Sequence, residues 1–141
     1  MTTTTIDNDR YWRSTGVVMA GLGALLMLVN AARAFLNPAA FATYLGLPLM
    51  SASDAGLVQV YGLRALFIGM LIVTLLALRQ RTALWVVALT AVVMPVGDAI
   101  MTAVAGAPGT IVGRHLAIAV FLLVAGYLLR RDAARLSAVR P

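Results

Sequence analysis

Apolar residues run almost unbroken through four stretches of this chain, at about residues 15–36, 55–78, 82–106 and 111–129. Each matches the roughly 20 residues that an α-helix needs to cross about 30 Å of hydrocarbon. The breaks between them carry turn and charge signals. Asn37-Pro38 stops the first helix, because proline lacks a backbone donor and disfavours helical geometry in the residue before it. The short Arg79-Gln80-Arg81 connection makes spans two and three an antiparallel hairpin. The expected fold is therefore all-α: a polytopic membrane protein, a four-transmembrane-helix bundle with a short interfacial segment between helices 1 and 2. Within that segment, residues 37–54, Phe41, Tyr44, Leu45 and Leu47 stand at helix-like spacing. Tyr44 suits the headgroup level, where rings with a polar tip gather, and Ser51 or Ser53 can cap the helix that starts near Asp54. The segment reads as an interfacial anchor, with a mobile lid as the alternative.

Composition reinforces this picture, since 62% of the residues are hydrophobic and 11% charged, against roughly 45–50% and 25% in soluble domains. Orientation follows from arginine. Arg10 and Arg13 precede the first span, Arg79 and Arg81 join the second to the third, and Arg130, Arg131, Arg135 and Arg140 follow the fourth. The connections at 37–54 and 107–110 hold no basic residue. Positive charge stays on the cytoplasmic side, so the expected protein is integral to the cytoplasmic membrane with both termini cytoplasmic. Three regions result: a Thr-rich, disordered tail at 1–14, the bundle at 15–129 and a basic tail at 130–141. The net charge of +6 is then accounted for by topology and by membrane lipids with anionic headgroups, with no nucleic-acid partner. The first apolar stretch exceeds the roughly 7–15 residues of a signal-peptide core, so it is expected to be retained. The chain contains no cysteine and no glutamate, and one histidine. Disulfides and thiolate chemistry are thereby excluded, no metal site is expected, and no cofactor motif is present.

The polar residues inside the spans carry the functional signal, because a charge at mid-bilayer costs at least roughly 2.5–3.5 kcal/mol. Counting at about 1.5 Å per residue, Arg64 lies roughly 21 Å from Leu78, and Asp98 roughly 24 Å from Thr82. Both levels fall in the outer half of the bundle. Arg33 near the end of the first span and Arg114-His115 at the start of the fourth join them there. Asn30, Arg33 and Asn37 share a face by their i, i+3, i+7 spacing, as do Tyr61 and Arg64; Met94, Asp98 and Thr102 are four apart. Arg114 and His115 point about 100° apart, which favours His115 facing inward while Arg114 snorkels outward on its alkyl stem. Pro95 beside Asp98 marks a kink. Small residues, among them Gly16, Gly21, Ala24, Gly62, Gly69 and Gly113, are expected at helix contacts, or in a homodimer interface.

These residues support acid–base chemistry. Asp98 is the candidate general base, Arg64 its orienting partner or a stabiliser of developing negative charge, and His115 and Tyr61 proton donors or acceptors. Asn30, Arg33, Tyr44, Met94 and Thr102 are the candidate substrate-binding groups. Hydrolysis, isomerisation or cyclisation of a lipophilic small molecule, an epoxide included, fits this set. Two other classes stay open: an accessory or structural subunit in which Arg64 and Asp98 only fix helix register, and a small-molecule transporter.

Four spans in 141 residues, a long first outer connection, Tyr61-Gly62-Leu63-Arg64 opening the second span, Gly97-Asp98 in the third and Gly113-Arg114-His115 opening the fourth resemble the DoxX-like small four-helix integral membrane proteins and their uncharacterised-domain relatives. The resemblance implies a four-helix bundle and no particular reaction. A fainter internal echo, the fifteen residues that separate both Arg64 from Arg79 and His115 from Arg130, would set Arg64 opposite His115 across the bundle.

Overall fold

The computed structural model describes residues 11–137, so the disorder expected for residues 1–10 and the positions of Arg10 and Arg140 lie outside the described residues. Among the described residues all regular structure is helical: α1 (Thr15–Leu36), α2 (Pro38–Leu45), α3 (Ala55–Ala77), α4 (Arg81–Thr90), α5 (Val93–Val104) and α6 (Gly109–Ser137), with a 3₁₀ turn at Ala52–Asp54 before α3. Four stretches of the described residues are long and apolar enough to cross a membrane: Thr15–Leu36, Ala52–Ala77, Arg81–Val104 and Gly109–Arg135.

Local sequence explains the boundaries. The Asn37 side chain accepts a hydrogen bond from Ala40 N at 3.1 Å, and Pro38 occupies the first turn of α2, where a missing donor costs nothing. Gly46, with φ of 90°, ends α2 in the left-handed region. Ser51 accepts from Ser53 N while Asp54 accepts from Ser51 N, a reciprocal cap that launches α3 as its spacing suggests. In the third span Pro95 cannot donate to Ala91 O, and the helix breaks at 91–92 into α4 and α5. Met94 N takes over that carbonyl at 3.1 Å through a tighter turn.

The helices pair as two hairpins. α1 packs along α3, and α4 and α5 pack along α6, while α1 also touches α6. Spans two and three, expected to form a hairpin, meet mainly where α3 connects to α4. The reason lies in the small residues. A Cβ on Gly62 would stand 2.7 Å from Ala34 Cβ, and one on Gly69 2.8 Å from Leu28 Cδ2, so α3 approaches α1 closely at both places and has no room for a side chain at Gly62. Gly21 and Gly113 meet nothing within 4 Å and are not bundle contacts. Because α3 and α5 are each committed to another neighbour, a gap remains between them.

The arginine-rich end is tightly built. Tyr11, Val17, Leu76, Leu84 and Leu129 form a buried cluster there. The Tyr11 hydroxyl donates to Leu76 O at 3.1 Å, with the Arg81 guanidinium 4.9 Å from its ring centre; burial raises the phenol's pKa above its usual 10. Ser14 donates to Asp132 Oδ2 at 2.5 Å. Tyr11 and Ser14 are therefore tied to the bundle, not part of a disordered tail. Likewise α6 continues through Arg130, Arg131 and Arg135 to Ser137, so the basic C-terminal residues up to that point extend the fourth helix instead of leaving it at 129.

Candidate functional site

The gap between the hairpins is a cavity of about 90 Å³, lined by all four spans and by α2. That is room for several waters or a slender ligand, since one water needs about 10–15 Å³ on this scale. Its apolar shaft is walled by Leu26 and Met27 of α1, Ile68 and Ile72 of α3, and Phe121 and Leu122 of α6. The polar groups gather at the end away from the arginine cluster, under α2: Asn30, Tyr44, Tyr61, Asp98, Arg114 and His115. Met94 and Pro95 complete the wall beside Asp98, so the kink in the third span borders the cavity.

His115 is the best-buried ionisable group of this cluster, 3% exposed, and it is held from two sides. Nε2 lies 3.3 Å from Leu45 O, the last residue of α2. A carbonyl only accepts, so this nitrogen carries the hydrogen. Nδ1 then faces Asp98 Oδ2 at 3.9 Å, with a lone pair towards a carboxylate unless a proton or a donating water stands between them. The separation exceeds a direct hydrogen bond. This pair can pass one proton in either direction.

Around it, Asn30 is 7% exposed and lines the cavity. Its amide, with two donors and an acceptor, borders that space. Tyr61 leans against Phe41 of α2, ring centres 5.7 Å apart. Arg114 donates to Tyr44 O and stacks on the Tyr44 ring at 3.8 Å, while Arg33 approaches the same ring at 4.8 Å. Arg33 and Tyr44 also border a second, outer pocket with Leu36, Asn37, Ala40 and Phe41. Tyr44 thus stands between the two spaces.

Several expectations need correction. Arg64 is exposed on α3 and borders neither space; the acid it was expected to orient is paired with His115 instead. It sits two residues, about 200°, from Gly62, the residue pressed against α1, so it points away from that contact. For the same reason it does not face His115 across the bundle. Arg33 is at the outer rim, separated from the shaft by Tyr44. Thr102 is 1% exposed, but its hydroxyl donates to Asp98 O at 2.7 Å and Ala99 O at 3.1 Å, so it braces the backbone and does not line the cavity. Arg114 folds onto α2 instead of snorkelling outward. Sequence reasoning missed the shaft itself: Leu26, Met27, Ile68 and Phe121 carry no signal that separates a cavity wall from a filled core. No group of three or more His, Cys, Asp or Glu able to hold a metal ion occurs among the described residues.

Fold and cavity together define a four-span helical membrane protein with an internal, amphipathic pocket bordered at its polar end by the short helix α2. The chain belongs to the family described as a domain of unknown function (DUF4267), whose model matches residues 23–129. That stretch includes every residue that lines the cavity. No curated protein and no solved structure matches the chain.

Proposed function

We propose that this protein is a small integral membrane enzyme that works by acid–base chemistry on a lipophilic small molecule, by hydrolysis, isomerisation or cyclisation, with an epoxide among the candidate groups. The observation that supports it is the Asp98–His115 pair at the polar end of an otherwise apolar cavity, 3.9 Å apart and oriented by the Leu45 carbonyl. Asp98 is the base, and His115 the group that shares and relays its proton. Tyr61 is the donor to a leaving oxygen, and Asn30 positions water or a carbonyl. In hydrolysis of an epoxide, water oxygen bonds to carbon as the carbon–oxygen bond of the ring opens. Asp98 takes the water's proton and Tyr61 supplies one to the ring oxygen; proton return through His115 restores both, with one water consumed. The reading places the protein in the cytoplasmic membrane with both termini cytoplasmic, among lipids, with a homodimer possible through the open faces at Gly21 and Gly113. Kinship with DoxX-like proteins belongs to the same reading, supported by the four spans and the long first connection.

The test uses the purified protein in detergent, a panel of lipophilic epoxides and ¹⁸O-labelled water, with mass spectrometry of the products. Wild type is expected to form diol carrying one label. Asp98→Asn, which keeps volume, is expected to lose turnover by about 10²- to 10⁴-fold while unfolding at an unchanged temperature. A second reading has its own observation: His115 ties α2 to the bundle through Leu45 O, so the pair can serve as a structural clasp. Asp98→Asn that loses stability by several kcal/mol, with product formation unaltered, favours the clasp.

A further inference from the structure

The charges at the α2 end do not balance. Arg33, Arg64 and Arg114 all lie in this half of the molecule, with Asp54 and Asp98 as the acids. None of the three arginines forms an ion pair with either acid among the described residues. Asp54 is engaged in the cap of the 3₁₀ turn and Asp98 faces His115. When Asp98 and His115 hold one proton between them the pair has no net charge, which leaves the Arg114 guanidinium as the charge that borders the cavity. Arg114 has five N–H donors and donates to one carbonyl, Tyr44 O, so donors remain for a ligand. Its ring partner Tyr44 fixes it in place without neutralising it. Asn30, 7% exposed, lines the same space and adds a neutral amide to its polar end.

The shape of the cavity restricts what that charge can meet. From Tyr61 to Ile72 is eleven residues of α3, and from His115 to Leu122 seven of α6. At about 1.5 Å per residue the shaft is roughly 10–16 Å deep. A volume of about 90 Å³ spread over that depth gives a channel one chain wide. That narrowness favours one chain over two acyl chains or a fused-ring body.

From these observations we infer that the cavity takes a single-chain anionic amphiphile, with its carboxylate or equivalent anionic head on Arg114 and its chain in the shaft between Met27, Ile68 and Phe121. This deepens the proposed enzymatic reading by naming the substrate class of the same site, and it adds Arg114 as the residue that selects for negative charge. The head sits beside the Asp98–His115 pair and not on it, because adjacent residues 114 and 115 diverge by about 100° around α6. A substrate held this way presents a carbon near its head to Asp98 while its tail is anchored in the shaft.

Binding, not turnover, tests this, so failure of the catalytic proposal leaves it intact. Protein in phosphatidylcholine nanodiscs is titrated with radiolabelled decanoate and, separately, decanol, with empty nanodiscs subtracted. Wild type is expected to hold decanoate about tenfold or more tighter than decanol. Arg114→Gln is expected to weaken decanoate by roughly ten- to hundredfold, the loss of a charged hydrogen bond, and to leave decanol unchanged, which also reports an intact fold. Arg114→Lys is expected to keep most of the preference. Phe121→Trp, which narrows the shaft, is expected to weaken both ligands. Equal affinity for the two ligands in wild type, or decanoate binding untouched in Arg114→Gln, overturns the proposal. Displacement of decanoate by two-chained phosphatidylglycerol at equal concentration overturns its single-chain part and assigns the site to bilayer lipid.

Discussion

Gly62 offers the sharpest test of how this bundle holds its cavity open. In Gly62→Ala the new methyl would stand 2.7 Å from Ala34 Cβ, against the 3.5–4.0 Å at which carbon atoms are in contact. Ala34 is fully buried and its Cβ is fixed to the α1 backbone, so relief requires α1 and α3 to separate by about 1 Å. Overpacking of this kind costs about 1–3 kcal/mol, and the absence of any side-chain rotation to absorb it puts the packing cost of Gly62→Ala near the upper end, leaving a net loss of about 1–2 kcal/mol after the gain in helix propensity. Gly69→Ala is a milder case: its methyl would meet Leu28 Cδ2 at 2.8 Å, the far end of a side chain that can turn. Helix propensity returns up to about 1 kcal/mol, so the net change there is expected to be small. Gly21→Ala, with nothing within 4 Å, is expected to be neutral or stabilising. Reversible unfolding in mixed micelles, followed by far-ultraviolet circular dichroism, ranks the three. Ala34→Gly added to Gly62→Ala removes the clashing carbon and is expected to recover more than half of the loss. Gly62→Ala as stable as wild type, or a double variant with no recovery, would refute the close approach on which the hairpin pairing rests.

Two further outcomes follow from the same geometry. Pro95→Ala supplies the helical donor to Ala91 O in place of the tighter Met94 N bond, so α4 and α5 are expected to fuse, raising thermal stability by up to about 3 kcal/mol while decanoate binding falls; undiminished binding would show that the kink does not shape the cavity. At the arginine-rich end, the Tyr11 pKa is raised by burial, with Arg81 and Arg79 opposing, so the neutral phenol is the stabilising form. Its contribution is full below about pH 10 and is lost as pH rises through the higher folded value. Tyr11→Phe is expected to be about 0.5–1.5 kcal/mol less stable at neutral pH and to show a flatter decline above pH 10. Equal pH dependence in the two proteins would remove Tyr11 from that role.

The sequence by itself determined the four spans and the breaks between them, though not the run of the fourth helix on to Ser137. A continuous apolar run must span or be buried, and proline, asparagine and serine act on backbone groups within four residues, so the helix stop at Asn37-Pro38, the cap at Ser51 and the break before Pro95 are all local. It also marked Asp98, His115, Tyr61 and Asn30, because a polar group at membrane depth must meet a partner or a cavity. What it left open was rotation. Each span is apolar on nearly every side, so periodicity does not say which side faces its neighbours, and a residue 60° or 200° from a correctly placed one is assigned to the same site or lost. The contacts at Gly62 and Gly69 decided that rotation for α3 and sent Arg64 outward, giving His115 the place beside Asp98. The packing of α2 over the bundle drew Arg114 and Arg33 onto Tyr44, where the sequence had one as a lipid-facing snorkel and the other as a ligand group. The shaft, finally, exists only because α3 and α5 each pack against a different partner. A void between helices is a property of how surfaces fail to meet, and only the tertiary structure could decide it.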